Sequence, residues 1–246
     1  MKKEPPVAML IVLFAIFLTL AWGNASAETP EDAFKRIFPD FRFEEIKTTG
    51  MTGIYEVRKG TDIIYFLPEY GYLFFGEIIS REGKNLTQQR KDDLVAETAK
   101  KLPLDKAVTL GSGRHVVVEF TDPDCPYCRK ASEFLKSRTD ITRHVFFLPL
   151  PMHPDAGNKA KYVLCAEDRA KAYEEVMSGK LDDRKYQICA NPAVSDIMNA
   201  HIEAARKVGV SGTPYFIING KTFVRGADIP ALEAALGRQS SMRHRE

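Results

Sequence analysis

The chain has 246 residues, of which 44% are apolar and 28% charged, and Lys+Arg 35 against Asp+Glu 33 leaves a net charge of +2. That make-up supplies a core for one large domain or two ordinary ones, which excludes wholesale disorder and collagen-like repetition. The charge is too balanced for a nucleic-acid binder, and four cysteines admit two disulfides, a metal site, or one redox pair with one structural pair.

Residues 1–27 open with Lys2 and Lys3, run through the apolar stretch Val7 to Trp22 and finish on Ala25-Ser26-Ala27. A basic start, an apolar run and a small-x-small cleavage site read as a secretory signal peptide. The apolar run is shorter than the roughly 20 residues that span hydrocarbon. Export places all four cysteines where disulfides persist.

From 28 to 84 a small domain is expected. Glu31–Phe38 has helical spacing, Gly53–Arg58, Asp62–Leu67 and Tyr72–Ile79 read as strands, and Lys59-Gly60 and Glu69-Tyr70-Gly71 supply turns. A piece of this size buries little surface by itself. It nevertheless carries Tyr55, Tyr65, Phe66, Tyr70, Tyr72, Phe74 and Phe75, enough for a small aromatic core and for an interface with a subunit or an apolar polypeptide. Asn85, with Gln88 three residues on, caps a polar helix that runs to Lys101 and stops before Pro103. Over 85–104 this reads as a linker helix, with an ordinary surface helix of either domain as the alternative.

Beyond it, His115–Phe120 is a β-branched strand, Pro126–Ser137 a helix, Arg143–Leu148 an apolar strand and Ala156–Val210 mostly helical. Tyr215–Asn219 and Thr222–Arg225 form a hairpin around Asn219-Gly220, followed by a closing helix Ile229–Leu236. Strand, helix, strand, helical insert, hairpin and helix is the order of a thioredoxin-like α/β domain, here over 105–240. The whole chain is thus expected to be α+β, with a small first domain, a linker helix, and a thioredoxin-like domain carrying a helical insertion.

Cys125-Pro126-Tyr127-Cys128 stands where a buried strand hands over to a helix. Two intervening residues bring both sulfurs to the first helical turn, where free N–H groups and the helix dipole favour a thiolate. Cys125 at the exposed edge is the expected nucleophile and Cys128, one turn in, the resolving thiol. Arg129 and Lys130 either add a favourable field or are solvated side chains of the outer face. Arg129 occupies the position where a c-type haem site needs a histidine, and Cys165 and Cys189 are too far apart in sequence for the second close pair of a structural zinc site. No metal and no cofactor is therefore expected.

Glu119 lies six residues before Cys125 inside Val116-Val117-Val118-Glu119-Phe120, a run apolar enough to be a central strand buried on both faces. A lone carboxylate there is costly unless it has a task or a partner. The expectation is that burial favours its neutral form and that it accepts the proton of Cys128 during resolution; the alternative is that it reaches solvent at the strand end. Thr213-Pro214 precedes the next strand after the turn Gly209-Val210-Ser211-Gly212, and sequence order leaves its cis or trans state open.

These residues together resemble the periplasmic disulfide isomerases called DsbC and the related DsbG proteins. The resemblance rests on Phe120-Thr121-Asp122-Pro123 leading into Cys125–Cys128, on Cys165-Ala166-Glu167-Asp168-Arg169-Ala170-Lys171-Ala172-Tyr173 and on Gly209–Pro214. It implies a first domain that dimerises, two protomers whose active sites face an apolar cleft, a cis Pro214 beside the CxxC, and a structural disulfide between Cys165 and Cys189. It also implies misoxidised or unfolded secreted proteins as substrates, bound along Pro126, Tyr127, Thr213 and Pro214, and a membrane reductase of the DsbD type that resets the dithiol. Two residues depart from the family pattern: Pro126-Tyr127 replaces the usual Gly-Tyr of DsbC, and an acid at Glu119 is found in thioredoxins and the oxidase DsbA. The reading is a periplasmic, homodimeric thiol-disulfide isomerase. Its alternatives are a DsbG-like reductase that protects single cysteines from overoxidation, disfavoured because DsbG proteins lack the second cysteine pair, and a chaperone that holds unfolded chains.

Overall fold

A computed structural model describes residues 28–237; the expected signal peptide lies outside the described residues. The chain divides into two compact units, one holding the residues up to Val57 together with Tyr65–Phe74, the other holding Arg58–Ile64 and the residues from Phe75 on.

In the first, helix α1 (Pro30–Ile37) is capped by Thr29, whose hydroxyl accepts the N–H of Asp32, and has Pro30 at its first position. It buries Phe34, around which the rings of Phe38, Phe41, Phe43 and Phe66 gather with centroids 5.0–5.6 Å away. A four-stranded sheet, of which Arg58–Ile64 count with the second unit, runs in the order β1 (Glu45–Thr48), β2 (Tyr55–Lys59), β3 (Asp62–Leu67), β4 (Tyr72–Phe74). The last strand is shorter than expected: its ladder with β3 ends at Tyr65 opposite Phe74, and the aromatic run continues outside the sheet. Tyr70, Tyr72, Phe74 and Phe75 are all half exposed or more. Strand β1 carries too few apolar residues, Glu-Ile-Lys-Thr, to announce itself by alternation.

In the second unit, α2 (Leu86–Ala99) is capped by Asn85, whose side chain accepts the N–H of Gln88. The helix read as a linker sends Val95 into a core with Leu102, Val118, Phe120, Phe146, Ala204, Val208, Tyr215 and Ile217, so it is a packed helix of this unit. A five-stranded sheet follows in the order β5 (Val108–Leu110), β7 (Ile141–Phe147), β6 (His115–Thr121), β8 (Tyr215–Ile218), β9 (Thr222–Arg225). Central β6 is parallel to β7 and antiparallel to β8. Its Val118 and Phe120 face the core just named, while Val117 faces Ala131 and Leu135 of α3 (Pro126–Lys136) with Leu232 of α7 (Ile229–Leu236). The turn between β8 and β9 has positive φ at both Asn219 and Gly220, the conformation that Asn-Gly supplies to a tight hairpin.

The expected helical stretch from Ala156 to Val210 is three helices: α4 (Ala156–Cys165), α5 (Arg169–Met177) and α6 (Pro192–Val208). Gly179, at φ 77°, turns the chain out of α5, and Asn191 with Pro192 starts α6, leaving the stretch between them without a helix.

Candidate active site

Strand β6 ends at Thr121, and the turn Asp122-Pro123-Asp124 carries the chain to Cys125, which is the N-cap of α3 with Pro126 at its first position. Asp122 builds this turn although it is fully buried. Its carbonyl accepts the N–H of Cys125 at 3.1 Å, and one carboxylate oxygen accepts the N–H of Asp124 at 2.8 Å. The other carboxylate oxygen accepts the N–H of Leu150 and meets Nδ1 of His153 at 2.9 Å. A short polar side chain that bonds its own backbone two residues on is what such a turn needs.

Cys125 and Cys128 are free thiols. Cys125 is 5% exposed and Cys128 completely buried, so the expected exposed edge is a narrow opening, framed by the exposed Pro126 and by Tyr127 at 65%. Cys125 Sγ lies 3.7 Å from the carbonyl oxygen of Thr213, and the Thr213-Pro214 bond is cis. Cys128 Sγ receives the N–H of Asp122 at 3.4 Å. Burial pushes the Cys128 thiol up to about 12; the Thr121 and Thr213 hydroxyls and the Asp122 amide oppose that rise in part. Those two hydroxyls have no other hydrogen-bond partner and are buried. The pair is therefore asymmetric: one sulfur has a route to solvent, the other is sealed and keeps its proton.

Glu119 is neither lone nor solvent-reaching. It is fully buried, accepts Arg143 Nη2 at 2.7 Å and Nε at 3.2 Å on one oxygen, and accepts the Tyr173 hydroxyl at 3.1 Å on the other. Arg143 also donates to Ser132 Oγ, one turn beyond Cys128 on α3, and lies over the Tyr173 ring. Burial among these charges drives the Tyr173 hydroxyl far above its ordinary range. Glu119 is expected from the sequence to take the proton of Cys128; in the structure its oxygens are engaged by Arg143 and Tyr173, and the groups that reach Cys128 are Asp122, Thr121 and Thr213.

Arg129 is not a solvated side chain. Its Nε donates to Pro123 O at 2.8 Å, Nη2 to Asp124 Oδ1 at 3.1 Å, and the fork closes on Asp182 at 2.6 and 2.7 Å. Sequence reading missed Lys159 and Asp182. Lys159, buried, donates to Asp124 and, at 2.7 Å, to Asp182. The Asp182 carboxyl is held down at about 2, chiefly by Arg129. Cys165 and Cys189 form a disulfide with Cα atoms 5.7 Å apart. Among the described residues no group of three His, Cys, Asp or Glu side chains is placed to hold a metal.

A family model of a thioredoxin-like domain matches residues 102–237, more than half of the chain. The chain belongs to the thioredoxin-like family. A second model, the disulfide bond isomerase protein N-terminal domain, matches residues 23–88, and this pairing of domains is that of the DsbC type. The "Probable thiol:disulfide interchange protein DsbC" of Bordetella avium is 29% identical over 80% of this chain and 70% of its own length. The thiol:disulfide interchange protein DsbC of Escherichia coli is 25% identical over 88% of this chain and 91% of its own. A solved disulfide interchange protein from Neisseria gonorrhoeae superimposes with a TM-score of 0.47 at 29% identity, covering 55% of this chain and 96% of that one. Family membership and curated relatives make this chain a thiol-disulfide oxidoreductase.

Proposed function

We propose that the chain isomerises, and in a second outcome reduces, non-native disulfides of secreted proteins in the periplasm, working as a homodimer through its 28–84 domain. The observation that carries the reading is the asymmetry of the dithiol: Cys125 opens narrowly to solvent beside the Thr213 carbonyl, and Cys128 is sealed with its thiol pushed up to about 12. The Cys125 thiolate attacks one sulfur of a substrate disulfide. That S–S bond breaks, a mixed disulfide forms and the other substrate sulfur leaves as thiolate. A different substrate thiolate then displaces Cys125, which forms a new substrate disulfide and regenerates the enzyme with no net change in electrons. Alternatively Cys128 loses its proton and attacks Cys125, releasing a substrate reduced by two electrons and leaving an enzyme disulfide that a DsbD-type membrane reductase returns to the dithiol.

The exposed Pro126 and Tyr127, with Thr213 and Pro214 opposite, border the groove for substrate backbone. The exposed aromatics Tyr70, Tyr72, Phe74 and Phe75 and the amino-terminal family match support dimerisation, and the signal-like pattern of residues 1–27 supports export. A scrambled-disulfide refolding assay tests the scheme. Cys125→Ala is expected to abolish rescue, while Cys128→Ala keeps isomerisation and loses net reduction; rescue by Cys125→Ala at the wild-type rate would show the reading to be wrong.

A further inference from the structure

The stretch between α5 and α6 has no helix, yet its Asp182 binds the two cations, Arg129 and Lys159, that bond the turn leading to Cys125. Asp182 grips the Arg129 fork through both oxygens, and Lys159 Nζ bridges Asp182 to Asp124. Tyr186, four residues on, donates its hydroxyl to Asp155 at 2.7 Å, and Asp155 stands 3.8 Å from Lys159. The Cys165–Cys189 disulfide closes the loop that contains both Asp182 and Tyr186. Arg129 and Lys159 both also donate to the same oxygen of Asp124, the residue next to Cys125. Two cations beside the turn that carries Cys125 are thus shared between Asp124 and a carboxylate in the loop that the second disulfide closes.

We infer that Asp182 is a positioning residue for the dithiol, and that the Cys165–Cys189 disulfide reaches the redox chemistry through it by holding a carboxylate against Arg129 and Lys159. With Asp182 neutralised, Arg129 is left to Asp124 and Lys159 to Asp124 and the more distant Asp155, and the surroundings of Cys125 gain one unit of positive charge. A more positive field stabilises a thiolate, and stabilising the thiolate stabilises the reduced dithiol. The charged and titratable groups around Cys125 are Asp122 and Asp124 from its turn, Tyr127, Cys128, Arg129 and Lys130 from its helix, Lys159, Asp155, Asp182 and Tyr186 from the helical insert, and His153 through Asp122. Of the carboxylates, Asp182 is the one whose placement depends on the second disulfide's loop.

The inference rests on Cys125 being the nucleophile. Its test uses the purified chain carrying Cys128→Ala, and reads the alkylation rate of Cys125 at mildly acidic pH, where the rate follows the thiolate fraction. Asp182→Asn is expected to raise that rate by roughly threefold or more. Asp182→Glu should restore it, and Arg129→Gln should lower it. With Cys128 retained, Asp182→Asn should shift the equilibrium with glutathione toward the dithiol by a similar factor. Replacing Cys165 and Cys189 together with Ser should move both readouts in the same direction as Asp182→Asn, with little further change when the two are combined. General loosening of the fold cannot give opposite signs at Asp182 and Arg129. Equal rates in Asp182→Asn and Arg129→Gln, or shifts of the same sign, would overturn the inference. Exchange activity surviving Cys125→Ala would instead overturn the assignment of the nucleophile.

Discussion

Replacing Glu119 by Gln tests whether a buried acid behind the dithiol serves the fold or the chemistry. The carboxylate accepts two hydrogen bonds from Arg143 and one from Tyr173, and both ions of the pair are almost completely buried. Gln keeps the shape and one acceptor oxygen for Arg143, while its amide group can donate to the Tyr173 hydroxyl; what disappears is the charge. Removing one member of a buried ion pair leaves the other uncompensated and costs about 3–5 kcal/mol, and the retained hydrogen bonds place this substitution near the lower end. For a domain of this size about 3 kcal/mol lowers the melting temperature by roughly 10 °C. Glu119→Met combined with Arg143→Met should recover most of that loss, because an apolar pair of similar volume needs no desolvation of charge. Calorimetry on Glu119→Met, Arg143→Met and their double closes the cycle, and stopped-flow measurement of the Cys128-dependent release of substrate in Glu119→Gln should show an unchanged pH dependence. A melting temperature within a degree or two of wild type, or a displaced pH profile for that release, would refute the assignment and return Glu119 to the proton path.

Removing the second disulfide as Cys165→Ala with Cys189→Ala reopens a loop spanning a sequence separation of 24 and should cost roughly 3 kcal/mol in chemical denaturation, less any strain released. His201 is completely buried, accepts the N–H of Phe147 on one ring nitrogen and meets the Lys106 carbonyl with the other, and burial lowers it from 6.5 to about 4. Between those values the unfolded chain binds a proton that the folded chain excludes. Stability is therefore full above pH 6.5 and falls on acidification toward pH 4 by about 3 kcal/mol, a slope that denaturant melts should find flattened in His201→Gln. Brief alkylation of the reduced protein at neutral pH should label Cys125 and spare Cys128, and peptide mass spectrometry would contradict the proposed roles if Cys128 reacted first.

What could be read in advance was whatever a local pattern controls. The cap at Asn85, the Asn219-Gly220 hairpin, and the strand-to-helix step at Cys125 depend on neighbours a few residues away, and all are present in the structure. What escaped depends on pairings across the sheet and between distant segments. Arg143 was absorbed into an apolar strand, although strand register seats it opposite Val117, two residues from Glu119 on the same face of β6. One acid in one buried strand and one base in the next was a signal that alternation would have exposed. Lys159 and Asp182 offered no such signal, because nothing in the order of residues says that a lysine of α4 and an aspartate beyond α5 converge on Asp124. The aromatic run from Tyr70 to Phe75 misled in the opposite sense: it implied strand as far as Ile79, and the structure leaves its rings on the surface.

The two cysteines differ less in sequence position than in which one can afford to lose a proton, and this bears on the choice between isomerisation and reduction. With its thiol pushed up to about 12, Cys128 is far less ionised at neutral pH than an ordinary thiol. The smallest contribution to that rise is the charge of Cys125, which vanishes once Cys125 is tied up in a mixed disulfide. Burial, the largest contribution, does not vanish. On the proposed scheme Cys128 therefore attacks its neighbour slowly, and the mixed disulfide waits long enough for a second substrate thiol to compete. A polar substitution that hydrates Cys128, such as Val163→Ser in the core against which it packs, should shift the partition toward net reduction. In the refolding assay that appears as more reduced substrate and less native disulfide per turnover, and an unchanged ratio with a demonstrably more reactive Cys128 would show that its protonation does not govern the choice.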